Sequence, residues 1–388
     1  MKKIAVITAT RAEYGLLSPV IKELRKLEDD EFRAELIVSG THLDQSYGMT
    51  VQEIDDRIDR RIPIPVKSDN ETDISENQAD ALVKFTKLFV EKRYNAVILL
   101  GDRYETLAIA IAAGNTRTPV FHLCGGDTTE GAMDEWIRHS ITKISYLHFV
   151  TNEESRKRVI QLGENPDRVF NYGSTSIDNI LRVADLSKKE ALESIGISDC
   201  SYALCTYHPV TMEGGDVDGQ ISAFLEAMKA FPEITFIVTK SNADQGGRRI
   251  NELLDAAEKQ IDNLHVFTSL GVRRYLSLMK HAEFVLGNSS SGIIETPAFR
   301  IPTVNIGDRQ LGRLQAESII NCNPDRDSII IAIRKVMSKE HREKCKQATC
   351  LYGSGNTGAL IAGKAKEVVM ADRIDLKKVF YDNLQHCC

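Results

Sequence analysis

Short apolar runs and segments of helical periodicity alternate along the first half of the chain. Apolar runs of strand length occur at 3–8, 32–39, 96–100, 120–123 and 145–150, and turn residues or a helical segment follow each of them. Strands that alternate with helices in this way predict a parallel, doubly wound α/β sheet. The segments with helical periodicity are 16–27, 50–58, 75–93 and 153–162, and 60–74 is predicted as a loop or an edge strand.

Around residues 171–180 the alternation breaks, because turn residues cluster there, and a second alternating set follows. We therefore predict two Rossmann-like domains, 1–175 and 176–365, that face a ligand cleft. The helical pattern over 355–384 predicts a C-terminal helix, at about 366–388, that packs back on the first domain. The second set has predicted strands at 202–206, 235–239, 265–267, 284–287 and 303–306, and predicted helices at 217–230, 245–260 and 271–281.

Composition narrows the class of protein. The 388 residues are 42% hydrophobic and 27% charged, which is typical of a soluble globular protein. The net charge of −6 disfavours nucleic acid as a partner, because nucleic-acid binding needs a basic face. No apolar run reaches the length of a membrane span, and residues 1–10 are interpreted as a strand rather than a signal peptide. The eight cysteines have neither C-x-x-C nor metal-site spacing, so we expect reduced thiols in a cytosol.

Acidic residues follow two successive predicted strands of the first domain. Asp102 comes directly after the 96–100 run, and Asp127 and Asp134 lie in and beyond the Gly-rich loop that follows 120–123. The carboxyl ends of parallel strands meet at one sheet edge, where open α/β folds bind ligands. Paired carboxylates there permit one base and one acid at neutral pH, which predicts proton abstraction or expulsion of a leaving group. Helix capping by Asp102 and Asp134 is the alternative.

A phosphate-binding loop is predicted at 287–295, GNSSSGIIE, where a strand ends and a helix begins. Backbone N–H groups at the helix start, together with serine hydroxyls and a glycine, make a cradle for phosphate. A plain serine N-cap is the alternative. Glu295 is placed to reach ribose hydroxyls. Four further candidates for phosphate contacts lie in loops after predicted strands: Arg11, His208, Arg309 and Arg313. The alternative is that the arginines are solvated loop residues and the histidine is structural.

These motifs together resemble those of the hydrolysing UDP-N-acetylglucosamine 2-epimerases, and most closely the branch that feeds bacterial sialic acid and legionaminic acid synthesis. The resemblance spans nearly the whole chain. It implies a glycosyltransferase-B-like fold, no metal or other cofactor, and elimination of a nucleoside diphosphate across C1–C2 followed by hydration to the free 2-epimer. The motifs that carry it are ATRAEYG (9–15), LLGDRYE (99–105), GGDTTEGAMDEWIRHSITK (125–143), GSTSIDN (173–179), TYHP (206–209), SNAD (241–244), GNSSSGIIE (287–295) and NIGDRQLGR (305–313).

The resemblance also implies roles for single residues. Asp102 and Asp134 resemble the acid/base carboxylates of the family, Arg138 follows them in an acid-x-x-x-Arg pattern, and His208 resembles the residue that faces the diphosphate. Arg11, Ser290, Ser291 and Gly292 are similar to the diphosphate contacts, and Glu295 to the ribose ligand. The chain departs from many family members at Cys124, where they have a glutamate, and a thiol does not replace a carboxylate as a base unless its pKa is lowered. In the sialic acid branch a carboxylate three residues further on is typical, and here that residue is Asp127. The resemblance therefore implies a proton-transfer role for Asp127, with Glu130 in reserve.

Two other functions stay open beside this one. A glycosyltransferase has the same architecture, because the fold alone does not select the reaction. Cys124 and the short side chain of Asp127 are compatible with an inactive nucleotide-sugar sensor. The partners that we expect are a UDP- or GDP-linked sugar and other copies of this chain, in a homodimer or homotetramer, with neither nucleic acid nor membrane.

Overall fold

The chain divides into two compact units. Unit 1 comprises Met1–Asp127, Asp134–Asp178 and Tyr352–Cys388, and unit 2 comprises Thr128–Met133 and Asn179–Leu351. The domain bounds given above from the sequence stay a prediction beside these units. The computed structural model describes residues 1–64, 70–129, 133–209, 216–241 and 246–382.

Unit 1 contains a seven-stranded, wholly parallel sheet. Its strand order is β3-β2-β1-β4-β5-β6-β7, so the direction of strand addition reverses between β1 and β4. The register pairs Ile4 with Ala34 on one side and with Ala96 on the other. The central strands are buried runs of apolar residues, as expected for a sheet covered on both faces. The strands are β1 (Lys2–Thr8), β2 (Phe32–Ser39), β3 (Arg60–Ile62), β4 (Ala96–Leu100), β5 (Val120–Leu123), β6 (Leu147–Val150) and β7 (Val169–Asn171).

Unit 2 repeats this plan with six parallel strands. The order is β10-β9-β8-β11-β12-β13, with the reversal between β8 and β11. A core cluster packs one face of the sheet against the helices at Val217–Met228, Gly247–Glu258 and Arg326–Val336, with Phe224, Phe236 and Phe284 fully buried. The strands are β8 (Tyr202–Thr206), β9 (Thr235–Thr239), β10 (Leu264–Phe267), β11 (Phe284–Gly287), β12 (Thr303–Ile306) and β13 (Ile319–Cys322).

The helices connect successive strands, as parallel pairing requires. α1 shows why these segments fold: Thr10 and Glu13 form a capping box at its start, and Leu17, Val20 and Leu24 bury one face. The helices are α1 (Arg11–Lys26), α2 (Glu71–Lys92), α3 (Tyr104–Asn115), α4 (Asp134–Ile144), α5 (Glu153–Gln161), α6 (Thr175–Val183), α7 (Lys188–Glu193), α8 (Val217–Met228), α9 (Gly247–Glu258), α10 (Gly271–His281), α11 (Ser291–Ile294), α12 (Thr296–Phe299), α13 (Arg326–Val336), α14 (Lys339–Gln347) and α15 (Thr357–Met370).

The C-terminal helix α15 belongs to unit 1 and packs on α1. At the crossing, a Cβ on Gly358 would lie 2.8 Å from the backbone of Pro19, so only glycine permits this approach. The helical pattern predicted over 355–384 is wrong over 371–382, and residues 383–388, to which the predicted C-terminal helix extended, lie outside the described residues. The helix ends at Met370, and Asp372 takes a left-handed conformation with φ 51°. The following segment stays on unit 1, because Lys378 donates to the carbonyls of Lys143 and Ser145 at 2.8 Å.

A second predicted helix, 50–58, is also wrong. The structure contains only a short 3-10 turn there, Thr50–Glu53. Asp55 and Asp56 are instead held at the hydroxyl of Tyr14, whose oxygen lies 2.6 Å from Asp55 Oδ1 and 2.8 Å from Asp56 Oδ2. The segment predicted as a loop or an edge strand contains the edge strand β3, and residues 65–69 lie outside the described part of the chain.

Two parallel sheets with helical connections confirm the predicted α/β class. In the residues that the structure describes, no helix is both long and apolar enough to cross a membrane.

Candidate active site

The structure places the twelve predicted site residues in two sets, one in each unit. Five lie in unit 1 and seven in unit 2. Both sets follow carboxyl ends of strands beside the point where strand order reverses, which is where open α/β sheets bind ligands. The unit 1 set is Arg11, Asp102, Asp127, Asp134 and Arg138, and the unit 2 set is His208, Ser290, Ser291, Gly292, Glu295, Arg309 and Arg313.

Arg138 lies at the centre of the unit 1 set. Its guanidinium is fully buried; Nε donates to Asp102 Oδ2 at 2.8 Å, and Nη2 donates to the same oxygen. Nη1 donates to the carbonyl of Asp127 at 2.8 Å and to Glu135 at 3.1 Å. Burial lowers the pKa of Arg138, but Asp102 and Asp127 more than offset this effect, so the pKa rises. Arg138 was predicted to bind substrate. In the structure it is the hydrogen-bond partner of Asp102, and its role toward substrate stays a prediction.

Asp127 is buried and tightly held. Its Oδ1 accepts hydrogen bonds from the hydroxyls of Thr151 at 2.6 Å and Ser155 at 2.7 Å. These bonds tie the loop after β5 to the end of β6 and the start of α5. The proton-transfer role predicted for Asp127 therefore falls on a carboxylate with a fixed orientation. Glu130, the reserve for this role, lies outside the described residues.

Two buried histidines hold the turns at this sheet edge, although sequence reasoning gave them no role. Burial lowers the pKa of both His42 and His122 to about 4, so both rings are neutral at pH 7. His122 Nε2 lies 2.8 Å from the carbonyl of Gly101, and since a carbonyl only accepts, this nitrogen carries the proton. His42 lies between the hydroxyls of Thr8 and Thr50, at 3.0 and 2.9 Å.

Glu13 was also missed, although its spacing from Thr10 is the sequence signature of a capping box. One carboxylate oxygen accepts the N–H groups of Ala9 and Thr10 at 2.6 and 3.1 Å, and the other accepts the hydroxyl of Thr106 at 3.2 Å. Glu13 thus joins the turn that bears Arg11 to the start of α3, which follows Asp102. Burial is the largest effect on this group and raises its pKa to about 7.

Cys124, the predicted departure from the family pattern, comes directly after β5 and has a left-handed conformation with φ 65°. Its backbone N–H donates to the carbonyl of Phe149 on β6 at 2.9 Å. The side chain is partly buried.

In unit 2, the serine loop begins at a glycine that no other residue can replace. Gly287 has φ 141°, and a Cβ there would lie 1.9 Å from the carbonyl oxygen of Thr206. The N–H groups of Ser289 and Ser290 donate to no acceptor among the described residues, whereas the hydroxyl of Ser291 is 2.6 Å from that of Tyr275. Two unused N–H groups beside serine hydroxyls suit an anion.

The helix predicted to begin within this loop does so, at Ser291. It is split into α11 and α12, because Pro297 near the start of α12 has no N–H to continue the ladder. Glu295 lies at the joint. Its partly buried carboxyl has no hydrogen-bond or ion-pair partner among the described residues, and desolvation raises its pKa to about 8. A neutral carboxyl can both donate to and accept from hydroxyl groups.

Asn288, which sequence reasoning did not select, joins the remaining parts of the unit 2 set. Its side-chain amide forms hydrogen bonds with the backbone of His208. Its main-chain carbonyl accepts hydrogen bonds from the side chains of Gln310 at 2.9 Å and Arg309 at 3.3 Å. The loops after β8, β11 and β12 therefore meet at one residue. Arg313 is partly buried in the same loop as Arg309.

The comparisons with known proteins agree with this fold. A family model described as UDP-N-acetylglucosamine 2-epimerase matches residues 25–365. A Campylobacter jejuni GDP/UDP-N,N'-diacetylbacillosamine 2-epimerase (hydrolyzing) is 38% identical over 88% of this chain and 89% of its own. A Legionella pneumophila UDP-N,N'-diacetylbacillosamine 2-epimerase (hydrolyzing) is 34% identical over 92% and 93%. The crystal structure of UDP-GlcNAc 2-epimerase from Neisseria meningitidis bound to UDP-GlcNAc has a TM-score of 0.79 at 21% identity, covering 95% of this chain and 100% of that one.

The fold is therefore that of nucleotide-sugar 2-epimerases, which is glycosyltransferase-B-like. More specifically, the chain belongs to the UDP-N-acetylglucosamine 2-epimerase family, in its hydrolysing branch. The family predicted from the sequence motifs is confirmed.

Proposed function

We propose that the protein converts UDP-N-acetylglucosamine, or a UDP- or GDP-linked 2,4-diacetamido-2,4,6-trideoxyglucose, to the free 2-epimerised sugar and a nucleoside diphosphate. The hydrolysing 2-epimerases among its relatives support this activity over the transferase and sensor alternatives. The observation that carries the proposal is that the two units supply different kinds of functional group. Carboxylates follow β4 and β5 in unit 1, and hydroxyls, unused N–H groups and a histidine follow β8 and β11 in unit 2.

In the first step, a carboxylate of the unit 1 set removes the proton from C2 of the sugar. The C1–O bond breaks, its electron pair leaves with the diphosphate, and a 2-acetamidoglycal remains. Water then adds to C1, and a proton returns to C2 from the opposite face. We assign the proton transfers to Asp102, Asp127 and Asp134, with Arg138 acting through Asp102.

The unit 2 set stabilises the leaving group, because donors placed in advance stabilise charge as it develops. His208, Ser290, Ser291 and Gly292 bind the diphosphate in this proposal, helped by Arg309, Arg313 and, from unit 1, Arg11. Glu295 binds the ribose hydroxyls.

Proton NMR in D₂O tests the reaction directly. The enzyme is incubated separately with UDP-N-acetylglucosamine and with the UDP- and GDP-linked diacetamido sugars. We expect free 2-epimerised sugar with deuterium at C2 from at least one substrate, and the fastest substrate identifies the pathway. Recovery of every nucleotide sugar unchanged would contradict the proposal.

Asp127→Asn separates catalysis from structure at this carboxylate. The amide oxygen of asparagine can still accept both hydroxyl bonds from Thr151 and Ser155, so the loop keeps its anchor. We expect turnover to be abolished while nucleotide binding, measured by titration calorimetry, stays intact. A kcat like that of the wild type would reduce Asp127 to a structural anchor. Ser155→Ala is the complementary control, since it removes one anchor bond and keeps the carboxylate.

Pathway, location and assembly are further parts of the proposal. We place the enzyme in sialic acid or legionaminic acid synthesis in the cytoplasm, as a homodimer or homotetramer. The six described cysteines are free thiols, which suits a reducing compartment. Light scattering coupled to gel filtration measures the assembly state, and a monomeric mass would contradict that part.

A further inference from the structure

Asn288 binds the main chain of His208 with both ends of its amide. Its Oδ1 accepts the N–H of His208 at 2.7 Å, and its Nδ2 donates to the carbonyl of the same residue at 2.8 Å. Asn288 is fully buried, and His208 lies beyond the last residue of β8, where strand pairing ends. The side chain therefore continues the hydrogen bonding of this segment past the end of β8.

Asn251, on α9, makes the same paired contact with Ser241, which lies two residues beyond the end of β9. Its Oδ1 accepts the N–H of Ser241 at 2.8 Å, and its Nδ2 donates to the Ser241 carbonyl at 3.2 Å. The hydroxyl of Ser241 in turn lies 3.1 Å from Nδ1 of His208. One asparagine thus holds the backbone of His208, and another holds the residue that orients its ring.

We propose that Asn288 and Asn251 are positioning residues, which together fix the imidazole of His208 against the leaving diphosphate. This inference rests on the proposed function, because it takes His208 to face the diphosphate. A donor stabilises developing charge only if it is in place beforehand, so the residues that lock its backbone and ring contribute to the rate. Each paired contact also satisfies a main-chain N–H and carbonyl outside the sheet ladder.

The chain offers a matched control in the next strand. Asn305, on β12, is 3% exposed, and its amide donates to the side chain of Asn321 at 2.8 Å rather than to a site loop. Asn305→Ser therefore removes a buried amide from the same sheet without affecting His208.

The first measurement needs no substrate. In ligand-free protein labelled at the histidine Cε1 carbon, the signal of His208 is assigned through His208→Gln. We expect this signal to shift in Asn288→Ser and in Asn251→Ser, and to stay in place in Asn305→Ser. An unchanged His208 signal in both variants would overturn the proposal, even if the enzyme proved to have another activity.

The second measurement is a double-mutant cycle on the nucleotide sugar that the wild type converts fastest. We expect Asn288→Ser to lower kcat about 100-fold with KM changed less than about threefold, since small misplacement of a catalytic group costs that much. In the His208→Gln background the same change should lower kcat less than about threefold. If the loss of kcat in the double variant equals the product of the two single losses, Asn288 does not act through His208.

If Asn288→Ser does not fold, the same cycle is measured with Asn251→Ser and with Asn288→Asp, which keeps the acceptor oxygen. If the wild type converts no nucleotide sugar, the proposed function is refuted. The NMR signal of the His208 ring then tests the positioning role by itself.

Discussion

Glu13 is a buried carboxyl whose three bound donors belong to two different elements. Its desolvation is larger than the opposing effect of Arg103, which is why its pKa rises to about 7 from an ordinary value of 4.5. Between these two values the folded protein binds more protons than the unfolded chain. The contribution of Glu13 to stability therefore falls as the pH rises from about 4.5 to 7.

Glu13→Gln tests this pH dependence. Glutamine can keep the capping box and the bond to Thr106, but it does not titrate. We expect the free energy of unfolding of the variant, relative to the wild type, to increase by about 3 kcal/mol between pH 4.5 and pH 8. Urea unfolding at several pH values measures it. If the free energies of unfolding of the two proteins change with pH in parallel, Glu13 does not titrate as a buried carboxyl.

Single residues also mark the limit of sequence reasoning at this site. Asp102 and His208 were found because each directly follows an apolar run, and that signal is local. Arg138 was selected for its spacing from Asp134, but its pairing with Asp102 was not predicted, because the two residues lie 36 positions apart. Asn288 was not selected at all, because it lies 80 positions from His208. Only the folded sheet brings such residues together.

At the scale of elements, α15 begins without a cap of its own. Its N-cap residue, Asn356, is left-handed and makes no side-chain cap bond. Asp178 of α6 supplies the cap instead, because its two carboxylate oxygens accept the N–H groups of Thr357 and Gly358 at 3.0 and 2.6 Å. The last helix is thus fixed by a residue that precedes it by nearly 180 positions.

Asp178→Ala should destabilise unit 1 by about 2 kcal/mol, at the upper end for a lost cap, because Asp178 is buried and caps two N–H groups. Asp325→Ala, at the ordinary and exposed N-cap of α13, is the control and should cost about 1 kcal/mol. Thermal and urea unfolding compare them. An equal or smaller loss for Asp178→Ala would contradict this account of the capping.

Elements with strong periodicity were predicted within a few residues, as for β2, β4 and α10. The failures have physical causes in particular residues. The pattern at 50–58 did not form a helix because Tyr14 binds Asp55 and Asp56, and the predicted C-terminal helix stops before a segment that Lys378 pins to unit 1. Helical spacing describes only local preference, and tertiary bonds overrode it in both places.

At the scale of the whole molecule, unit 1 is assembled from distant parts of the chain. Ile361 and Val369 of α15 are buried in its core beside Leu17 and Leu24 of α1. Burying two such side chains contributes about 3–6 kcal/mol, which is comparable with the whole stability of a small domain. The six-stranded sheet of unit 2, by contrast, lies within 179–351.

Separate expression of the two parts tests this difference. We expect 179–351 to fold cooperatively alone, and 1–178 to fold only when a peptide of residues 352–382 is added. Near-ultraviolet circular dichroism and amide NMR dispersion report folding. Cooperative unfolding of 1–178 without the peptide would refute the dependence on α15.

Because α15 completes the core of unit 1, the order of synthesis on the ribosome differs from the order of folding. Residues 179–356 must be translated before α15 emerges, which takes roughly 10 to 35 s at ordinary elongation rates. During that interval the nascent N-terminal part exposes the apolar face of α1. We expect trigger-factor-like chaperones to remain bound to it until translation nears its end, so that the first part of this protein to be made is the last to become native.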